Sequence, residues 1–370
     1  MTDSSSAEEP QSSSSPAGRT FPCDSCGADL EFHIGSQQLK CSFCGFEKVI
    51  DLSDESPVVE RDFTKTLAEQ SAKRLENRDA PPSGNREVHC NTCGGTVVFE
   101  GSAISTECPY CGSPTQEDCF HEARERIPID GVLPFMVDRS VAKGNLKEWV
   151  KSRWFAPNDF KTRGAGGKFN GLYMPYWTYD SMTFTRYRGE RGEHYHVKNS
   201  KGESERRTRW YPVSGSFQRF FDDVLVCALR DAKQKLMRAL EPWPLEKVQP
   251  FNQESLAGYL AMTYEVELDE GFRNAKGRME DELNDDIRHR IGGDAQRVHS
   301  VNTRHDAITY KSLSLPIWMM AYQYNQKSYQ VVVNACTGEV QGERPWSWVK
   351  IGLTALAALT AAGLLYLSQQ

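Results

Sequence analysis

The chain has 370 residues, 39% hydrophobic and 25% charged, with a formal net charge of −6. A mean hydropathy of −0.59 excludes a multi-span membrane protein, and the acidic balance excludes a globally basic nucleic-acid binder. Eleven cysteines are too few for a disulfide scaffold, which devotes about 8–10% of a short chain to them, so their placement carries the information.

Residues 1–20 are polar and Ser-rich, without the apolar core of a secretory signal, and read as a disordered tail. Residues 21–50 hold Cys23-x2-Cys26 and, after fourteen further residues, Cys41-x2-Cys44. Residues 51–86 read as a charged linker with a short helix over 63–75, ended by Pro81-Pro82-Ser83-Gly84. Residues 87–116 then repeat the first unit without a gap at an offset of 67: Cys90-x2-Cys93, fourteen residues, Cys108-x2-Cys111. Gly27, Gly45, Gly94 and Gly112 follow the second Cys of each pair.

Two thiolates two residues apart grip one Zn²⁺ from a tight turn. A second such turn from a facing hairpin completes a tetrahedral four-thiolate shell. The spacing therefore predicts two zinc ribbons, each with one structural Zn²⁺. Such a shell leaves no open coordination position, so neither zinc is catalytic. Disulfides fit less well because no secretory signal precedes the cysteines, redox CxxC motifs because they do not come as equally spaced paired pairs, and an interleaved cross-brace because 45 residues separate Cys44 from Cys90. Neither ribbon carries the cluster of basic residues that a phosphate-binding face needs, which favours protein docking or a structural role. Cys119, Cys227 and Cys336 stand alone and read as incidental thiols.

The body, residues 117–345, mixes periods. Apolar spacing predicts helices around Val141, Leu146, Trp149 and Val150, from Leu225 through Leu229, Ala232 and Leu236 to Leu240, and over 269–291. Strand-like runs lie at 183–187, 307–311, and 317–324 with 329–333, the last pair joined at 325–327 as a hairpin. The class is α+β with an antiparallel sheet. A faint repeat, Ala142-Lys143-Gly144 before Leu172-Tyr173-Met174-Pro175 and Ala275-Lys276-Gly277 before Leu313-x-Leu315-Pro316, suggests a duplicated body.

No catalytic constellation emerges. The glycine loop at 164–169 lacks the spacing of a phosphate loop. Asp222-Asp223 and Gly292-Gly293-Asp294 read as capping or solvated groups, and His194-x-His196 lacks a third ligand. One stretch is biased: residues 182–219 carry nine Lys or Arg against four Glu, interleaved with aromatics. Arg186, Arg188, Arg191, Arg206, Arg207 and Arg209 are its candidates for contact with anionic lipid or nucleic acid.

Residues 351–367 are free of charge and span roughly 25 Å as a helix. Trp346, Trp348 and Lys350 lie before them and Tyr366 at the far end. This predicts a single transmembrane helix within 346–370, tail-anchoring a cytoplasmic body at the inner or plasma membrane.

The ribbons, 172–180 (LYMPYWTYD), 209–215 (RWYPVSG), 221–224 (FDDV), 291–298 (IGGDAQRV) and 315–324, leading to Asn334-x-x-Thr337-Gly338-x-Val340, resemble a family of bacterial zinc-ribbon membrane proteins. Members often carry a primosomal-helicase (PriA-like) or TFIIB-type zinc-ribbon label. The resemblance implies recruitment of a PspA-like envelope-stress protein beside an SPFH-domain partner. No Walker motif or motor domain accompanies the ribbons, so helicase activity is not expected. The sequence thus predicts a non-enzymatic, membrane-tethered zinc-binding adaptor that recruits protein partners. The alternative is a membrane-associated nucleic-acid-binding protein.

Overall fold

Three strands of exceptional length organise the chain. The computed structural model describes residues 21–50, 58–76, 86–89, 96–99, 105–107, 114–116, 120–122, 126–157, 169–198, 202–230, 232–324 and 327–368. Within it, β1 (Leu30–His33), β2 (Gln38–Cys41) and β3 (Glu47–Lys48) form a small antiparallel sheet. A strap follows, made of β4 (Arg61–Asp62) and α1 (Phe63–Glu76). Five short strands come next: β5 (Arg86–His89), β6 (Thr96–Phe99), β7 (Ser105–Glu107), β8 (Pro114–Gln116) and β9 (Phe120–Glu122).

The body begins with β10 (Gly131–Val132) and α2 (Arg139–Ser152). Then come the 30-residue β11 (Phe169–Lys198), the 24-residue β12 (Ser204–Cys227) and a short α3 (Gln234–Ala239). β13 (Gln249–Pro250) and β14 (Leu260–Ala261) lead to α4 (Leu268–Ile291) and the 30-residue β15 (Ala295–Tyr324). β16 (Lys327–Asn334), β17 (Val340–Gly342) and α5 (Trp348–Ser368) end the chain. The main sheet runs β12-β11-β15-β10-β13, with β14 beside β11, β16 and β4 beside β15, and β17 beside β16.

This corrects the expected fold class. The body is not an even α+β mixture; it is a large, curled, mostly antiparallel sheet with few helices. Runs read separately at 183–187 and 307–311 fall inside β11 and β15, which pair with each other from Phe169↔Met320 to Gly192↔Ala295. Irregularities at Asp180 and Arg188 bend the ladder without ending it. The expected helix from Leu225 to Leu240 shrinks to α3, because Val224–Cys227 pair instead with Tyr176–Tyr179. Leu225, Leu229 and Leu240 are buried in one core regardless, so their spacing mimicked a helical face.

The body contains two like units that exchange helices. Pro175 pairs with Ser314 and Pro316 with Tyr173, so the β11–β15 ladder is symmetric about Met174↔Leu315. Parallel partners obey the same relation: Leu260↔Leu172 and Ala261↔Tyr173 mirror Gly131↔Leu313 and Val132↔Ser314. Trp177 donates its indole N–H to Val266 O at 2.8 Å, just before α4, and Trp318 donates to Val137 O at 2.9 Å, just before α2. Ala228 O accepts from Glu265 and Val266 N–H as Ala335 O accepts from Met136 and Val137 N–H. Each helix thus packs on the long strand of the other unit. On α2 the buried positions are Ala142, Leu146 and Val150; their mates on α4 are Gly271, Ala275 and Met279. The Ala-Lys-Gly triplets are therefore one turn out of structural register.

Among the described residues no helix is long and apolar enough to cross a membrane. This overturns the expected transmembrane anchor, and with it the tail-anchored placement at the inner or plasma membrane. Within α5 the leucines are diluted by five Ala, two Gly and two Thr. Its first turn is tied to the body, since Lys350 Nζ donates to Trp154 O (3.3 Å) and Ala156 O (2.8 Å). Leu353, Leu356 and Leu359 are exposed on it. The expected disordered tail at 1–20 and most of the glycine loop lie outside the described residues.

Candidate metal centre

Ribbon one is built from two copies of one turn. Cys23 N–H donates to Ala28 O (2.7 Å) and Gly27 N–H to Cys23 O (2.8 Å); Cys41 N–H donates to Phe46 O (2.8 Å) and Gly45 N–H to Cys41 O (3.1 Å). Gly27 and Gly45 close these turns at φ +74° and +75°, a left-handed conformation that costs a residue with a Cβ about 1–2 kcal/mol. The Pro22↔Asp29 bridge frames the first turn and the Lys40↔Glu47 pair frames the second.

The sulfurs of Cys23, Cys26, Cys41 and Cys44 lie within 4.8 Å of one another. Cys23 Sγ is 3.6 Å from Cys44 Sγ, and Cys26 Sγ is 3.6 Å from Cys41 Sγ. A disulfide needs about 2.05 Å. A tetrahedron of sulfurs about 2.3 Å from a central Zn²⁺ has edges of about 3.8 Å. The geometry therefore suits a metal ion and excludes a bonded pair. Cys23 and Cys41 are buried, while Cys26 and Cys44 face solvent. The Phe46 N–H, hydrogen-bonded to the sulfur, draws the Cys44 thiol down to about 7. The Ala28 N–H acts likewise on Cys26, but the Cys44 and Cys41 sulfurs outweigh it and push that thiol up to about 12. Four sulfurs this close ionise together only around a cation.

Ribbon one is not a free module. Alternation along β1 and β2 puts Leu30, Phe32, Leu39 and Cys41 on one face, and that face joins a core with Phe135, Tyr173 and Trp318 of the body. Phe135 stacks on Tyr259 with centroids 4.0 Å apart. Phe32 N–H donates to Ala257 O (3.1 Å), Gln37 Nε2 donates to Phe135 O (2.9 Å), and Lys48 pairs with Glu254 at 2.9 Å. The sequence displayed the apolar face of this hairpin but not its counterpart, which begins 98 residues away at Phe135 and extends beyond 200.

Cys90, Cys93, Cys108 and Cys111, expected as the second ligand set, lie outside the described residues, as does Cys119. The strands that frame the two pairs are described. His89↔Thr96 and Glu107↔Pro114 are the Pro22↔Asp29 and Lys40↔Glu47 pairs moved by 67 residues.

The six arginines grouped by sequence divide between two faces, because a strand alternates with period two. Arg186 and Arg188 lie on one face of β11, and Arg206, opposite His196, shares it. Arg191, Arg207 and Arg209 lie on the other, where Arg191 pairs with Glu193 (3.0 Å), Arg207 pairs with Glu205 (3.2 Å), and Arg209 stacks on Tyr195. His194 Nδ1 is engaged with Thr208 Oγ1 at 3.0 Å. Glu60, Asp180 and Asp222 come together at the β11 bulge. Asp180 there accepts from Asp223 N–H (2.7 Å) and Thr309 Oγ1 (2.8 Å), and Lys311 pairs with Asp223 (2.7 Å). Burial holds the Asp180 carboxyl above its ordinary range. Since Lys311 also lies 3.5 Å from Glu60, this network clamps the strap to β15.

No protein-family model matches the chain, and no solved structure matches it. The chain is similar to a protein of Bacillus subtilis (strain 168) described as "Uncharacterized protein YdjG", with 25% identity over 337 residues, covering 90% of this chain and 92% of that one.

Proposed function

We propose that the chain is a non-enzymatic, zinc-stapled adaptor. Cys23, Cys26, Cys41 and Cys44 hold one structural Zn²⁺, and Cys90, Cys93, Cys108 and Cys111 hold a second. The observation that carries this reading is the four-sulfur cluster, continuous through Cys23 and Cys41 with the body core. A four-thiolate shell binds metal without an open position, so its contribution is to folding, of order 10 kcal/mol or more in small zinc modules. Ribbon one spends its apolar face on the body. Ribbon two is then assigned the contact with partners, and a PspA-like protein is the partner that the family resemblance implies.

Crosslinked capture tests the reading, comparing wild type with Cys90→Ser/Cys93→Ser and Cys23→Ser/Cys26→Ser. An adaptor loses a reproducible protein partner when ribbon two is broken. An unchanged set of crosslinked proteins in both variants overturns the role.

A further inference from the structure

Beyond Tyr179 the sheet narrows to a three-stranded arm of β12, β11 and β15, and its two faces differ. One face lies under α4, where Tyr187 packs with Ile287 and Ile291 and Arg219 pairs with Asp286 at 2.9 Å. The opposite face is open among the described residues. Arg186 sits there between Ser216 and Asn302, and Arg188 between Ser214 and Ser300. Both guanidiniums are exposed. They are about 7 Å apart along the strand.

Neither arginine has an ion-pair partner among the described residues, because the carboxylates on this face are taken. Asp306 is held by Arg304 at 2.8 Å, and Glu190 lies 3.6 Å from Arg297 and 3.4 Å from His299. Aromatic rings flank the pair. Phe184 and Trp210 lie beneath the guanidiniums of Arg304 and Arg297, and Phe220 is 54% exposed.

We propose that this face binds single-stranded nucleic acid, a function separate from the zinc-stapled adaptor reading. Arg186 and Arg188 take successive phosphates, the serines and Asn302 donate to phosphate and sugar oxygens, and Phe220 offers a ring on which a base stacks. Arg186 and Arg188 stand at the middle of this face, whereas the core of a protein interface is depleted of charge. A duplex groove is the poorer fit: three strands about 4.8 Å apart already span about 10 Å before side chains, against a major groove of about 12 Å.

The test uses the full chain with zinc and fluorescence anisotropy on an oligothymidine of about 20 nucleotides, longer than one ~4–16-nucleotide site. Parallel arms use the same length of duplex and vesicles of phosphatidylcholine with phosphatidylglycerol. The wild type binds the single strand in preference to both. Arg186→Gln/Arg188→Gln, whose side chains are exposed and whose fold is checked by its melting curve, weakens binding about tenfold or more. It also lowers the slope of log affinity against log salt by about 1.4, the value for two lost phosphate contacts. Phe220→Ala weakens binding about fivefold or more. Arg207→Gln, on the other face and paired with Glu205, changes it little. No binding to the oligonucleotide, equal binding to duplex, binding to vesicles alone, or a double variant with an unchanged salt slope overturns the proposal.

Discussion

The exchange of helices between the two units makes a paired prediction about Trp177 and Trp318. Each indole N–H is the donor to a carbonyl just before the helix it supports, at 2.8 Å for Val266 O and 2.9 Å for Val137 O. Replacing either tryptophan by phenylalanine removes that donor and leaves part of the indole volume empty. An orphaned buried carbonyl costs about 1–3 kcal/mol, and the lost ring volume adds roughly 1 kcal/mol. Each variant should therefore lose about 2–4 kcal/mol. Trp177→Phe should lose the more, since Trp177 is fully buried and Val266 is 2% exposed, whereas Val137 is half-buried. Urea unfolding of the zinc-loaded protein, followed by far-ultraviolet circular dichroism, measures both. Trp154→Phe, at 68% exposure, serves as the control and should fall within about 0.5 kcal/mol of wild type. If Trp177→Phe also falls within that margin, the helix anchors do not support the body as described. If Trp318→Phe alone is neutral, the equivalence of the two units fails.

Two further outcomes follow from single residues. Gly45→Ala forces a Cβ into φ +75° with open space around it, so about 1–2 kcal/mol of backbone strain should appear as weaker zinc retention against a chelator, with the body's melting curve little changed. His305 projects from β15 toward α4 beside Lys276, and burial, then the Lys276 charge, hold its proton affinity below the ordinary histidine value of 6.5. The unfolded chain takes up that proton first, so the stability from His305 is present above about 6.5 and falls as pH drops through 6.5 toward its depressed value. Urea midpoints measured between pH 7.5 and pH 5, roughly the range in which histidine titrates, should fall less steeply in His305→Asn than in wild type; equal slopes would refute the assignment.

Short-range chemistry made the ribbon readable. Two Cys pairs with a following glycine dictate the turns, and a constant offset of 67 residues carries the same strand pairs to the second unit. Helix α4 was likewise written in its spacing, with Phe272, Ala275, Met279 and Leu283 on its buried face, whereas on α2 the spacing marks Leu146 and Val150 but points to Val141, which is 52% exposed, in place of the buried Ala142. What depends on partners far away in sequence was not readable. β11 and β15 look like several short strands because their faces change surroundings along their length: buried on both sides near Trp177, then open on one side near Arg186. Leu225, Leu229 and Leu240 face one core from a strand and a loop, and local periodicity does not separate that from a helix. The docking of Leu30, Phe32 and Leu39 on Tyr173 and Trp318 has no local signal at all beyond an apolar face in need of cover. The six arginines appeared as one basic cluster until the pairing register assigned them to two faces.

Metal content of the reduced, full-length protein tests the central claim most directly. Native mass spectrometry with and without a chelator should show two zinc ions per chain, falling to one in Cys23→Ser/Cys26→Ser and to one in Cys90→Ser/Cys93→Ser. A reduced wild-type chain that binds no zinc, or one whose zinc content is unchanged by Cys23→Ser/Cys26→Ser, would contradict the assignment of Cys23, Cys26, Cys41 and Cys44 as a metal centre.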